Sequence, residues 1–319
     1  MNTNPVAAMG ADLRLEERDA AGECVAEAAL WWTQVPALAG ERLGIIGAFT
    51  ARDEDAGLNV LMRAEAELRA RGCTLAVGPM DGNTWRRYRL VTDPGEEPIF
   101  FLEPTNPSAW PTWWRAAGFG SLAEYFSTAT DDLAARDERL DGVTARMGKA
   151  GVTIRALDRM RFEEELAKIY EISVVSFKEN YLYAPLPEEA FFAQYRAIQS
   201  RVRPELVLLA EQGGRPVGYV FATPDFAQAQ RGEAVTTVIV KTLAVLPGRA
   251  FAGLGALLLG EVHAAAREIG FTRAIHALMH ETNQSRNLSA HYAKTIRRYT
   301  LFSKRLTAGT GIETPISPP

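Results

Sequence analysis

Apolar residues at strand spacing alternate with longer stretches at helical spacing along most of the chain. In the first half, after an opening CVAEAALWWTQVP, this pattern predicts the strand RLGIIGAF, a helix through AGLNVLMRAEAELRARG and the strand CTLAVGPM. A turn-rich DGNTW follows, and IFFLEPTNP and AEYFSTAT read as strands around a Trp-rich helical turn. The second half gives the strand VTIRAL, the helices RFEEELAKIYEISVVSF and PEEAFFAQYRAI, and the strands ELVLLAEQ, VGYVFATP and AVTTVIVKTLAVLP. A long amphipathic helix, the strand FTRAIHALMH, the helix NQSRNLSAHYA and the strand RYTLFSKRL complete it. Gly213 and Gly214 supply the positive φ angles of a tight hairpin turn in EQGGRPVGYVF.

The halves look like a repeat. Each has a strand, the tripeptide Ala-Gly-Leu (Ala56, Gly57, Leu58 and Ala252, Gly253, Leu254), a helix ending at Gly72 or Gly270, and another strand. The expected boundaries are a disordered residues 1–20, a first half over 21–133, a charged linker over 134–150, a second half over 151–307 and a disordered tail over 308–319. A length of 319 residues agrees with two domains.

Composition narrows the classes. A net charge of -4 carries no excess of basic residues, so no nucleic-acid partner is expected. No run approaches the roughly 18 apolar residues of a membrane span. The N-terminus has neither a basic leader nor a sustained apolar stretch, and a soluble cytoplasmic protein is the expectation. Cys24 and Cys73 form no CxxC pair, so neither a metal site nor a disulfide framework is expected.

The stretch VLPGRAFAGLGALLLGEVHAAAREIG, Val245 to Gly270, carries the sharpest chemistry. A helix N-terminus presents unpaired N–H groups and a partial positive charge, which favour an anion. Close approach needs small residues. Gly248, Ala250, Ala252, Gly253, Gly255 and Ala256 meet that need, Leu254 sits among them, and Arg249 adds a cation. No Lys or hydroxyl follows to make a P-loop, and Leu258 stands where a dinucleotide fingerprint needs its third Gly. At the corresponding turn of the first half stand Asp53, Glu54 and Asp55, which stabilise the helix dipole themselves and repel a pyrophosphate.

On these residues the second half resembles the GCN5-related N-acetyltransferase (GNAT) superfamily. Gly253 and Gly255 match the glycines of its Arg/Gln-x-x-Gly-x-Gly/Ala pattern, while Ala250 stands at the first position and Arg249 one residue before it. The resemblance implies an α+β fold with a mixed, mostly antiparallel central sheet flanked by helices, here as two tandem copies, the N-terminal one degenerate. It implies acetyl-CoA or another acyl-CoA as co-substrate, its thioester polarised by a backbone N–H around Leu243, Ala244 and Val245, with Asn283 beside the site. The expected reaction is acetyl transfer to a small amine by direct attack in a ternary complex, in a monomer or homodimer.

The resemblance also places Tyr292, with Tyr299 behind it, as the acid for the leaving thiolate; either could instead pack in the core. On the strand FTRAIHALMH, alternation puts His276 and His280 on one face, where His276 is either a base or a core histidine. Glu281 is a second candidate base or a helix-start carboxylate. Alternation also turns Thr242 toward His276, a pair that looks like that of GNAT-like malonyl-CoA decarboxylases that load carrier-protein thiols. A non-catalytic acyl-CoA-binding protein is a further alternative. The tryptophans all fall in the first half, as core or, through the loop Gly78 to Trp85, as a pocket wall.

Overall fold

The computed structural model describes residues 10–135, 140–282 and 293–306. Their elements, in chain order, are β1 (Leu13–Arg18), β2 (Cys24–Trp31), β3 (Leu43–Ala51), α1 (Glu54–Ala70), β4 (Leu75–Gly78), β5 (Leu90–Asp93), α2 (Trp110–Ala116) and β6 (Gly120–Thr130). There follow α3 (Leu140–Lys149), β7 (Val152–Ala156), α4 (Phe162–Ser176), α5 (Glu188–Arg196), β8 (Val207–Gln212), β9 (Arg215–Pro224) and α6 (Phe226–Gln230). The last are β10 (Thr237–Val245), α7 (Leu254–Glu268), β11 (Arg273–His280) and β12 (Lys294–Arg305). The chain divides into two compact units, and the division falls inside β5, β6 and β12 and between Asn106 and Pro107.

The first unit holds the strands β1-β2-β3-β4 and the end of β12, which pairs with β4 from Phe302 to Arg305. β3 and β4 run parallel, joined by α1, and their pairing covers only Leu43–Ile45 and Leu75–Val77. Beyond Ile45 the edge of β3 is taken by the following loop. Met80 donates its N–H to Ile46 O at 2.9 Å, and the buried Asp81 carboxylate accepts from Ala48 N at 2.6 Å. Gly47 permits this approach, because a Cβ there would lie 2.1 Å from Met80 O. Trp31, Trp110 and Trp114 are core residues, with Phe49 edge-on to the latter two.

The second unit orders its strands β12-β6-β11-β10-β9-β8-β7, with β5 beside β12. Among the described residues β10 and β11 run parallel, with α7 as their crossover, while β10–β9, β11–β6, β7–β8 and β8–β9 pair antiparallel. One face packs against α7 and α3 through Val238, Val240, Leu254, Leu258 and Leu140. The opposite face receives Phe100 against Ile239 and Ile275. On that face α4 is also fixed, by Ser173 Oγ to Tyr219 OH at 2.8 Å.

Four local expectations are corrected. Leu13–Arg18, placed in a disordered end, is β1, paired along β2. The expected linker contains α3, whose Met147 and Leu140 enter the second core. IFFLEPTNP forms no strand, since the Asp225 carboxylate takes the N–H of Phe101 at 2.8 Å and prolines bracket the segment. The Ala-Gly-Leu tripeptides do not correspond, because Gly57 lies inside α1 while Gly253 is the N-cap of α7; the matching N-cap in the first unit is Asp53.

Asp81→Ala leaves the Ala48 N–H buried without its acceptor and should cost about 1–3 kcal/mol. Asp81→Asn retains a carbonyl oxygen and should unfold in urea much closer to wild type.

Candidate active site

The two strand–helix–strand crossovers share a plan and differ at the helix start. Asp53 accepts from Ala56 N at 3.0 Å, and Glu54 and Asp55 follow, so α1 is capped and neutralised by its own carboxylates. The Ala56 N–H holds the Asp53 carboxyl below its usual range. At α7 the N-cap is Gly253, left-handed at φ 85°, with no side-chain cap and no acidic residue in the first turn. The chain enters through Gly248 and a tight turn, Arg249–Phe251, so Arg249, Ala250 and Ala252 lie exposed before the helix and Gly255 and Ala256 open its first turn. By charge and by shape such an end favours an anion.

Beside it the sheet opens. β10 and β11 pair from Thr237–Arg273 to Val240–His276, where their pairing ends, although β10 runs to Val245 and β11 to His280. Leu246 donates its N–H to Val217 O on β9 at 2.9 Å. Alternation therefore turns the backbone groups of Val245 and Leu243 toward the opening and those of Ala244 toward β9. Ser176 Oγ donates to Val245 O at 3.0 Å, which ties the end of α4 to this edge.

Two bulges reset the side chains. Against β9, Val240 pairs with Ala222 and Thr242 with Phe221, so Lys241 is an extra residue. Leu243 and Val245 thus join the α7 face that Val238 and Val240 occupied, and Thr242 moves to the opposite face. In β11, His276 pairs with Thr128 and Met279 with Phe126, with Leu278 at φ 64°. His276 stays on the α7 face; His280 crosses to the other. The expected pairs, Thr242 with His276 and His276 with His280, do not form.

His276 is bound at both ring nitrogens, Nδ1 to Thr128 Oγ1 at 3.3 Å and Nε2 to His263 Nε2 at 3.0 Å, with the two imidazoles stacked. Burial pushes His263 down to about 4, and burial together with the neighbouring His263 pushes His276 down to about 3. Both are neutral core groups near pH 7, and His276, with both ring nitrogens engaged and its basicity lowered by burial, is held as a core histidine. Tyr299 is fully buried, donating to Glu103 Oε1 at 2.6 Å, with its acidity suppressed first by burial. Glu281 pairs with Arg298 at 3.2 Å. Tyr292 and Asn283 lie outside the described residues. One residue escaped sequence reasoning: Arg146 of α3 donates to Ala252 O, placing a second guanidinium at the start of α7. Its position in a charged linker gave no sign of that neighbour.

Comparison with known proteins fits this geometry. A model of the acetyltransferase (GNAT) family matches residues 166–293. Over those residues the chain is similar to the GNAT acetyltransferase family. Two solved structures share its fold: a GCN5-related glucosamine N-acetyltransferase region of a fungal multi-domain GH3 β-N-acetylglucosaminidase, and a GCN5-related N-acetyltransferase from Sphaerobacter thermophilus. The first has TM-score 0.58 and 14% identity, covering 94% of this chain and 34% of that one. The second has TM-score 0.52 and 14% identity, covering 95% and 83%. Among curated proteins, the chain is 26% identical to the bacterial ceramide synthase of Caulobacter vibrioides over 187 residues, 58% of this chain and 49% of the relative. It is 24% identical to protein YghO of Escherichia coli over 198 residues, 60% and 49%. The chain thus spans about half the length of the curated relatives it matches. GNAT enzymes are acyltransferases that use acyl-CoA co-substrates, and the match favours an enzyme over a non-catalytic binder. No helix among the described residues is long and apolar enough to cross a membrane.

The buried histidine pair gives a signed pH dependence. Both folded values lie below the ordinary imidazole value of 6.5, so the unfolded chain takes up protons first as pH falls. Stability is full above about 6.5 and should fall from pH 7 to 5 by on the order of 1–2 kcal/mol per histidine. A His263→Leu, His276→Leu double variant should flatten that slope in thermal melts.

Proposed function

We propose that the second unit is an acyl-CoA-dependent N-acyltransferase, with acetyl-CoA as the simplest donor and a small-molecule amine as acceptor. The observation that supports it most is the opening of β10 from β11 beside a helix start that the protein itself leaves uncapped. In this reading the pyrophosphate lies on the amides of Leu254, Gly255 and Ala256, within reach of Arg249 and near Gly253 and Ala250. The thioester enters the opening, where a backbone N–H at Leu243 or Val245 polarises its carbonyl. Tyr292, from the sequence alone, is assigned to protonate the departing thiolate. An amine acceptor agrees with the relative named a ceramide synthase, since a ceramide is an amide. The decarboxylase alternative loses its support with the separation of Thr242 from His276.

Gly255→Asp tests the donor site. An acid in the first turn of a helix favours the helix by about 0.3–1 kcal/mol. The same carboxylate near a phosphate is repelled by about 4 kcal/mol at roughly 4 Å and an effective dielectric of about 20. Calorimetry should show saturable acetyl-CoA binding by wild type, at least a hundredfold weaker binding by the variant (~3 kcal/mol), and no loss of melting temperature. Equal affinity would sink the reading.

A further inference from the structure

Strands that part leave backbone groups in need of partners, and at the fork between β10 and β11 a serine supplies one on each side. On the β11 side, the buried Ser127 of β6 accepts at Oγ the N–H of Leu278, the bulge residue at φ 64°, at 3.1 Å. On the β10 side, Ser176 Oγ donates to Val245 O at 3.0 Å. Ser176 is the last residue of α4, and a helical serine commonly bonds back to the carbonyl four residues before it. Ser173 of the same helix does so, Oγ to Ile169 O at 2.7 Å, whereas Ser176 reaches out to the strand. The Val245–Leu246 peptide is thus held at both edges, its carbonyl by Ser176 and its N–H by Val217 O on β9 at 2.9 Å. A peptide bonded on both sides resists turning. The end of β10 therefore stays with β9 and α4, and the Val245 N–H faces the fork.

We propose that Ser176 is a positioning residue for the acyl-CoA arm: by holding the Val245 carbonyl it fixes the Val245 N–H as the donor that an amide carbonyl of the arm accepts from, and so delivers the thioester to Leu243. The assignment rests on the acyl-CoA reading above. The start of α7 follows the end of β10, so an extended arm leaving a pyrophosphate at Leu254–Ala256 enters the fork at its open end. It meets Val245 first and Leu243 two residues deeper, about 6.7 Å further along the strand. The pair Val240 with His276 closes the far end. With Val245 O engaged by Ser176, the group that Val245 turns to the arm is its N–H, and an amide carbonyl suits it. From that carbonyl carbon to the thioester carbon run a nitrogen, two methylenes and a sulfur, roughly 6 Å when extended. That reach equals the step from Val245 to Leu243. The thioester carbonyl then falls at the Leu243 N–H, and Ser176 acts on it only through Val245.

The test is calorimetry on the full chain with acetyl-CoA and, separately, with ADP, which carries a pyrophosphate and no arm. Ser176→Val removes the hydroxyl, and Ser176→Thr keeps it at the same side-chain shape as Val. Wild type should bind both ligands. Ser176→Val should bind acetyl-CoA roughly tenfold more weakly with ADP affinity unchanged, and Ser176→Thr should stay within about threefold of wild type for both. Hydrogen exchange of the Leu246 amide should quicken in the Val variant and not in the Thr variant. Failure of wild type to bind acetyl-CoA would remove the underlying reading. With that binding present, a Ser176→Val protein within about threefold of wild type for acetyl-CoA, or one that loses ADP and acetyl-CoA in equal proportion, would overturn the assignment of Ser176 alone.

Discussion

Two parallel strands that part along their length expose backbone groups, and each such group needs a partner. That constraint governs both units. In the first, the chain supplies the partners itself: Met80 and Asp81 take the edge of β3, and Asp53 takes the start of α1. In the second, the corresponding helix start has no side-chain cap and the strand pairing simply ends. One plan thus yields a sealed copy and an open one. The difference lies in a few carboxylates and glycines, not in the sheet.

The open copy divides its chemistry between the faces of the sheet. The α7 face holds the uncapped turn, buttressed by α3 through Val143 and Arg146, and below it the neutral His263–His276 pair fixes helix to strand. The opposite face carries α4, the segment around Phe100 and the tyrosines beside His280. The bulges at Lys241 and Leu278 decide which side chain belongs to which face.

Much of the fold was legible because period and turn chemistry are local. The crossover through α7, the Gly213-Gly214 hairpin and the small residues before Leu254 follow from neighbours in the chain. What failed depended on distant groups. Strict alternation put Thr242 and His280 on the face of His276, and single extra residues, visible only against β9 and β6, reversed both. IFFLEPTNP has the composition of a strand, yet Asp225 claims its backbone. The Ala-Gly-Leu tripeptides matched in letters but not in position, since capping, not identity, aligns Asp53 with Gly253. The partnership of His263 with His276 could not be seen before α7 was laid on β11.

The most direct measurement is hydrogen–deuterium exchange of the full chain with and without acetyl-CoA, read at the two helix starts. The account predicts added protection at Leu254–Ala256 and at Leu243–Val245, with the first turn of α1, from Glu54 to Gly57, unchanged. Protection at α1 equal to that at α7, or none at α7 under saturating acetyl-CoA, would contradict it.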